Sequence, residues 1–124
     1  MDKKDLEVAL AAFTDTVTHY RHWSRAYYYT DGVAFLAVEA GAQWLLDYIA
    51  AHQKRARRDR QLRDCQVWTL RMVAAKTARI ACSDREAREV FGEDVPLLGG
   101  FPLDEVTLYF ENETLMLPGE RAQR

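Results

Sequence analysis

Residues that crosslink a chain or bind metal are scarce in this sequence. It has two cysteines, Cys65 and Cys82, and three histidines in 124 residues. Two isolated cysteines without a secretory context indicate reduced thiols, as in a cytoplasmic protein. Structural zinc sites take three or four His or Cys ligands, and neither a CxxC nor an HExxH pattern is present. We therefore predict a cytoplasmic protein with no metal site and no cofactor.

Long apolar runs are also missing. No apolar segment follows the opening MDKKD, which predicts the absence of a signal peptide. The most apolar stretch, residues 30–50, is interrupted by Glu39, Gln43 and Asp47, so we expect no membrane span. With 48% hydrophobic residues the chain can still bury a core, and its length indicates a single domain over residues 1–124.

Catalytic signatures are absent as well. Ser24 and Ser83 are candidate nucleophiles, as are the two cysteines, and His19 or His22 could act as the base. No spacing links these groups, and there is no GxSxG elbow. We therefore predict no catalytic residues and a protein that is not an enzyme. An enzyme of unknown class stays open as a third alternative. Its polar side-chain candidates are His19, Tyr20, His22 and Asp31.

The most regular pattern in the chain predicts a central helix. Apolar residues recur at three-four spacing across residues 30–50, and the helix is expected to run to about His52. Thr30 or Asp31 can act as its N-cap. Gly41 falls inside this helix, at a cost of about 1 kcal/mol relative to alanine, which would be tolerable if another backbone approaches closely there.

Two alternating segments predict β-hairpins. Residues 64–74 alternate between inward and outward side chains, and a second alternating run ends at Cys82. Residues 104–117 repeat the pattern around a turn at Asn112 and Glu113. Matching the inward sets of the first hairpin pairs Trp68 with Cys82, Leu70 with Ile80, Val73 with Thr77 and, on the outer face, Arg71 with Arg79.

The remaining segments complete the predicted fold. Residues 2–13 have the spacing of a first helix, whereas residues 14–29 predict extended or irregular backbone that can hold one short strand. The sequence SDRE at residues 83–86 is a capping box, and Gly92 would end the short helix that it begins. Together these elements predict an α+β fold. Two N-terminal helices pack on a mainly antiparallel four-stranded sheet of two hairpins, with a short helix between the hairpins.

The net charge of −2 hides a strong segregation along the chain. Residues 1–50 carry four basic and seven acidic side chains, residues 51–82 nine and two, and residues 83–124 four and ten. Such asymmetry often marks a partner surface, but the two signs could instead face each other within the fold.

Residues 52–63, HQKRARRDRQLR, are the most basic part of the chain, with six Lys or Arg against one Asp. They could bind phosphates while nearby aromatic rings stack on bases. Alternatively, they are solvated cations placed favourably at the negative end of a helix. The candidate binding residues are Lys54, Arg55, Arg57, Arg58, Arg60 and Arg63. The candidate surface aromatics are Trp23, Tyr27, Tyr28 and Tyr29.

Several short motifs resemble a family of small bacterial and phage proteins classed as a domain of unknown function. The resemblance is most specific over residues 30–50, TDGVAFLAVEAGAQWLLDYIA, and spans nearly the whole chain. The other matching residues are Phe13-Thr14-x-Thr16, Tyr20-Arg21, Gln66-Val67-Trp68, Phe101-Pro102-Leu103 and Leu117-Pro118. The resemblance implies an association with phages, plasmids and other mobile elements. It implies neither a known activity nor any catalytic residue.

These observations lead to two principal functional hypotheses. The first is a small non-enzymatic binding protein of a mobile element that occludes a macromolecular protein partner, for example an anti-CRISPR-like inhibitor of a bacterial defence complex. The second is a nucleic-acid-binding accessory protein that uses residues 52–63. A homodimer is an open alternative for the assembly, and no membrane partner is expected.

Overall fold

A computed structural model describes residues 1–15 and 18–121 of the chain. Thr16, one residue of the family resemblance, and Val17, in the predicted irregular segment, lie outside these ranges. The helices are α1 (Lys3–Ala11), α2 (Asp31–Glu39), α3 (Gln43–Ala51), α4 (Gln53–Arg58) and α5 (Pro118–Arg121), with a 3₁₀ turn at Arg60–Leu62. The strands are β1 (His19–Arg21), β2 (Tyr28–Thr30), β3 (Gln66–Ala74), β4 (Thr77–Ser83), β5 (Glu89–Pro96), β6 (Glu105–Glu111) and β7 (Thr114–Met116).

The described strands form one mixed sheet in the order β1-β2-β7-β6-β3-β4-β5. Strands β2 and β7 run parallel, and every other neighbouring pair is antiparallel. Buried and more exposed side chains alternate along β3 and β6, as expected for strands with one face in the core. The buried strand residues join those of the helices in one hydrophobic cluster, which includes Leu36, Leu45, Leu46, Ile49, Trp68, Leu70, Ile80 and Leu108.

The α+β class is confirmed, but the predicted arrangement of two N-terminal helices on a four-stranded, mainly antiparallel sheet is wrong. The sheet has seven strands in the described residues, and one pair of neighbours is parallel. Strands β1 and β2 have three residues each, too few to show a readable alternation. Strand β5 contains a glycine and three acidic residues, a composition that favours loops over strands.

The predicted central helix is two helices. Helix α2 ends at Glu39 and α3 begins at Gln43, and the two are bent by 120°. Gly41 between them has φ +63°, a left-handed conformation that glycine adopts without steric cost. The prediction of Thr30 as N-cap is confirmed, since its side chain accepts a hydrogen bond from the backbone N–H of Val33. Among the described residues no single helix is long and apolar enough to cross a membrane; α2 and α3 reach that length and composition only as a bent pair.

The predicted register of the first hairpin is confirmed over most of its length. Trp68 faces Cys82, Leu70 faces Ile80 and Arg71 faces Arg79. Near the turn a bulge shifts the pairing, so Thr77 lies opposite Ala74 instead of the predicted Val73. The second hairpin also turns where predicted, with Asn112 at φ 53° and Glu113 at φ 59°.

The predicted capping box at residues 83–86 does not begin a helix. The carboxylate of Asp84 accepts hydrogen bonds from the backbone N–H groups of Glu86 and Arg88, both at 2.9 Å, and closes a turn. Gly92, predicted to end that helix, lies within β5, opposite Ala81 of β4. Short polar side chains stabilise turns and helix N-termini by the same hydrogen bonds, so the local sequence does not distinguish the two.

A buried carboxylate joins the C-terminal helix α5 to the start of α2. Glu120 of α5 accepts hydrogen bonds from the Thr30 hydroxyl at 2.6 Å, the Gly32 N–H at 3.1 Å and the Leu117 N–H at 2.9 Å. Gly32 allows this approach, because a Cβ there would lie 2.7 Å from Glu120 Oε1 and 2.6 Å from Leu117 Cδ1. The carboxylate also lies at the positive end of the α2 dipole.

Gly41 offers a test of the helix break. In a continuous helix, Gly41→Ala would stabilise the protein by about 1 kcal/mol. With φ +63° the same substitution should instead lower the free energy of unfolding by about 1–2 kcal/mol. Chemical denaturation measures the difference. Gly99→Ala is the matched control, because a Cβ at Gly99 would meet nothing within 4 Å. A stabilised Gly41→Ala variant would contradict the break.

Glu120→Ala should remove the acceptor for two backbone N–H groups and one hydroxyl. Since hydrogen bonds to charged groups contribute about 1.5–3 kcal/mol each, we expect a loss of several kcal/mol in the free energy of unfolding. The control is Glu86→Ala, at an exposed carboxylate with no side-chain partner among the described residues, and it should change stability by less than about 0.5 kcal/mol. Equal denaturation midpoints for the two variants would show that the buried carboxylate does not stabilise the fold.

Candidate functional site

Helix α4 carries most of the basic segment and is fixed to the sheet by a buried pair of amides. Gln53 of α4 and Gln66 of β3 exchange two hydrogen bonds, at 2.9 and 3.1 Å. The indole N–H of Trp68 donates to Gln66 Oε1 at 2.9 Å. Ala56 and Leu62 are buried on the same side. The other side chains of this six-residue helix therefore point towards solvent.

One arginine of the segment has a structural role. Arg57 donates from Nη2 to the backbone carbonyl of Ala26 at 2.6 Å and from Nε to Gln53 Oε1 at 3.2 Å. Its Nη1 lies 3.8 Å from a carboxylate oxygen of Glu113. Its guanidinium also lies 5.5 Å from the ring centroid of Phe110. Arg57 is therefore committed to contacts within the fold and ties α4 to the turn before β2.

The other cations of the segment are exposed and form no ion pair with any residue that the structure describes. The guanidinium of Arg55 packs 4.1 Å from the ring centroid of Phe91 and has no carboxylate partner among the described residues. Lys54, Arg55 and Arg58 line a depression of about 460 Å³, in which Asp59 is the one acidic lining residue. The carboxylate of Asp59 already accepts a hydrogen bond from the Gln61 N–H.

A larger cleft, of about 740 Å³, adjoins this region. It is lined by Arg57, Arg63 and Arg85, by the Asn112–Glu113 turn, and by Asp64 and Glu111 among others. Arg121 binds the Glu111 carboxylate at 3.1 Å. We call the unpaired basic side chains the cationic surface; they are Lys54, Arg55, Arg58, Arg60, Arg63 and Arg85.

Arg85 was missed because residues 83–86 were predicted to begin a helix. The predicted register of β3 and β4 could have indicated that Arg85 lies near the basic segment. With Val67 opposite Ser83, the chain just before β3 lies beside the chain just after β4. Arg63 and Arg85 therefore meet in one cleft despite their separation in sequence.

The turn between β1 and β2 is locked onto α3 by a buried histidine. The His22 ring has no exposed side-chain area, and its Nε2 lies 2.8 Å from Asp47 Oδ1. The backbone N–H of Ser24 donates to His22 Nδ1 at 3.1 Å, so Nε2 carries the ring proton and donates it to Asp47. Trp23 Nε1–H donates to the same Asp47 oxygen at 2.8 Å. Asp47 is thus the anchor of this turn.

The same cluster has the order of groups found in a Ser-His-Asp relay. Ser24 Oγ lies 2.8 Å from His22 Nδ1, on the opposite side of the ring from Asp47. In a hydrolase the histidine must also reach the leaving group of the substrate. Since the His22 ring is fully covered, these contacts fit a structural lock better than a catalytic base.

The four candidate aromatics are in different environments. Trp23 is 75% exposed, although its indole N–H is hydrogen-bonded. Tyr27 is not on the surface; it is buried, and its hydroxyl donates to the Leu46 carbonyl at 2.6 Å. Tyr28 is partly exposed and its hydroxyl accepts from Arg21 at 2.9 Å. Tyr29 is half-buried. Of the four, only Trp23 therefore presents a large free surface.

Among the other polar candidates, Tyr20 and Asp31 are brought together, whereas His22 belongs to a different cluster. His19 is exposed on β1, and His22 lies in the cluster with Asp47. Asp31 lies close to Tyr20, and its negative charge raises the pKa of that phenol. Cys65 and Cys82 are buried free thiols, and burial raises the pKa of Cys82 to about 12. Within the described ranges, no group of three or more His, Cys, Asp or Glu side chains is placed to hold a metal ion.

The fold and these contacts define a small α+β protein with a cationic surface on α4 and the segments next to it. The chain belongs to a family of unknown function (DUF6876), which it matches over residues 4–121. This confirms the resemblance to such a family. No curated protein and no solved structure matches the chain significantly.

The hydrogen bonds to Asp47 predict an acid dependence of stability. Burial pushes the pKa of this carboxyl upward, but hydrogen bonds from Trp23, Gln43 and His22 outweigh that effect and hold the pKa below its ordinary value of 3.8. A carboxyl with a lowered folded-state pKa contributes stability above its unfolded pKa and loses it as the pH falls through the folded pKa. The stability difference between the wild type and Asp47→Asn should therefore be largest above about pH 4 and shrink in more acidic solution.

Urea denaturation across this pH range measures that difference. Glu39→Gln is the control, because Glu39 is exposed and makes no hydrogen bond or ion pair with other described residues. If the curves of Asp47→Asn and the wild type stay parallel through the acidic range, the carboxylate does not anchor the turn.

Proposed function

We propose that the protein is a non-enzymatic nucleic-acid-binding protein of a phage or other mobile element, and that it binds phosphates through the cationic surface. One observation carries the proposal: the six basic side chains of the cationic surface form no ion pair with any described residue, and five of them line two clefts, Lys54, Arg55 and Arg58 the smaller one and Arg63 and Arg85 the larger one. Five of the six are arginines, whose planar guanidinium groups match phosphate oxygens with two hydrogen bonds. Nucleic acid supplies such anions at regular, close spacing.

The rest of the charge supports the same interpretation. Some basic residues elsewhere are paired, for example Arg79 of β4 with Glu89 at 2.6 Å and with Asp94 at 3.5 Å. The net charge of −2 combines the unpaired cationic surface with a predominantly acidic remainder, in which separate cations such as Lys4 and Lys76 also form no ion pair among the described residues. A protein with this distribution approaches a polyanion in one orientation, because its other surfaces are repelled.

The hypothesis of an occluding inhibitor of a bacterial defence complex stays a prediction, as do a homodimer and the absence of enzymatic activity. An acidic protein could also bind a positive surface. The two partners are separated by affinity capture from host lysate with and without nuclease. A complex that disappears with nuclease supports nucleic acid, whereas an acidic protein that remains bound after nuclease overturns the proposal.

A charge-neutralised variant tests the proposal directly. Arg58→Gln, Arg60→Gln and Arg63→Gln together should weaken binding to DNA and RNA and reduce the salt dependence of the association constant. On a plot of log K against log salt concentration, each lost phosphate contact should lower the slope by about 0.7–0.9. Fluorescence anisotropy with a labelled oligonucleotide at several salt concentrations measures both effects.

The matched control removes the same charge elsewhere. Lys4, Lys76 and Arg88 are exposed and form no ion pair among the described residues, and none of them lines the two clefts. Their combined substitution by glutamine changes the net charge equally and should alter affinity far less. Equal losses in the two triple variants would show that only total charge matters. Absence of binding by the wild type at low salt would refute the proposal.

A further inference from the structure

We propose, on the basis of the function proposed above, that the preferred ligand is single-stranded nucleic acid and that Trp23 is a stacking platform for one of its bases. The strand would cross the cationic surface with its phosphates and place a base on the exposed indole. Proteins that bind single strands combine these two elements, a positively charged track and fixed aromatic rings.

Trp23 is both exposed and held in place. Its side chain is 75% accessible, yet its Nε1–H is bound to Asp47 at 2.8 Å. The Asp47 oxygen also accepts from Gln43 and lies 2.8 Å from the buried His22 ring. An indole in solvent usually loses side-chain freedom when it binds a ligand. Here the fold has already fixed the ring, which lowers the entropic cost of stacking.

Contacts within the fold hold Trp23 in a fixed position relative to the cationic surface. Arg57 of α4 donates to the carbonyl of Ala26, in the same turn as Trp23. Asp47, which binds the indole, lies on α3, and α4 follows α3 after a single residue. Arg25, exposed and without an ion pair among the described residues, is a further cation beside the platform.

Stacking on an exposed indole favours a single strand over a duplex. In a duplex the base faces are already stacked on each other, so they are not available to an indole unless the duplex is opened. A single strand exposes base faces beside its phosphates. Duplex reading by a helix in the major groove is also disfavoured, because α4 has six residues and packs Gln53 and Ala56 against the core.

Fluorescence anisotropy with a labelled single strand of about 12 nucleotides and with the matching duplex tests the inference. We expect the wild type to prefer the single strand. Trp23→Ala should weaken single-strand binding about 5- to 150-fold, the range for the loss of one stacked base. It should leave duplex binding unchanged. Trp23→Phe, which keeps a ring but lacks the indole N–H, should lie between the two.

Intrinsic fluorescence supplies a second readout. The chain has three tryptophans, and Trp23 is the one that base stacking would quench. Single-stranded ligand should quench the wild type and Trp44→Phe, but quenching should be largely lost in Trp23→Phe. Val38→Ala removes a comparably exposed apolar side chain from α2 and should change neither affinity nor quenching.

Each result separates the inference from the proposed function. If Trp23→Ala binds the single strand as the wild type does while the triple arginine variant does not, the platform is wrong and the cationic surface stands. Equal affinity for duplex and single strand also overturns the inference alone. If the wild type binds neither form at low salt, both the proposed function and the inference fail. Far-ultraviolet circular dichroism and unchanged duplex binding show whether Trp23→Ala remains folded.

Discussion

The buried carboxylate of Glu120 is the contact on which the arrangement of β2, α2 and α5 depends. Strands β2 and β7 run parallel, and each leads directly into a helix, so two helix N-termini start side by side. Their free backbone N–H groups would be unsatisfied in the core. Glu120 accepts from one of them in α2 and from Leu117 ahead of α5, and it also accepts from the Thr30 hydroxyl. One side chain thus makes the parallel pairing tolerable and fixes the hairpin that carries Trp23.

The basic side chains of the strands and those of α4 differ in whether they have acidic neighbours. On the sheet, Arg71 and Arg79 lie opposite each other, which would destabilise the hairpin if they were uncompensated. Arg71 has Glu105 as its neighbour on β6, and Arg79 is paired with two carboxylates of β5. The acidic C-terminal third therefore supplies the carboxylates beside both of these strand arginines. On α4 it pairs with Arg57, through Glu113 at 3.8 Å, and with no other α4 cation among the described residues.

The elements with strong local signals could be predicted from the sequence. The β3–β4 register followed from matching the inward apolar sets, and the Asn112–Glu113 turn followed from its flanking alternation. The errors arose where one local pattern is compatible with two structures. Gly41 fits a helical spacing but marks a break, and Asp84 can close a turn or begin a helix. The parallel pairing of β2 with β7 joins residues far apart in sequence and leaves no local signal.

The candidate site could likewise be predicted only in part from the sequence. The basic segment was visible as composition, but whether its charges were paired could be decided only by the tertiary contacts. Likewise, the sequence does not distinguish the four candidate aromatics, and only the contacts of Tyr27 with Leu46 and of Trp23 with Asp47 separate a core ring from an exposed one. Nothing in the sequence around Asp47 indicates that a buried histidine would bind it.

Arg57 links the helix that carries most of the cationic surface to the turn that carries Trp23. Within the segment it is the basic residue that hydrogen-bonds inside the fold, to Ala26 and Gln53, and it also forms an ion pair with Glu113 at 3.8 Å. Because it contacts both α4 and the turn before β2, it holds the cationic surface and Trp23 at a constant separation. A rigid separation favours a ligand whose charges and aromatic faces repeat at a fixed interval, and it penalises one whose negative charges are irregular. Single-stranded nucleic acid has that repeat, and an acidic protein loop does not.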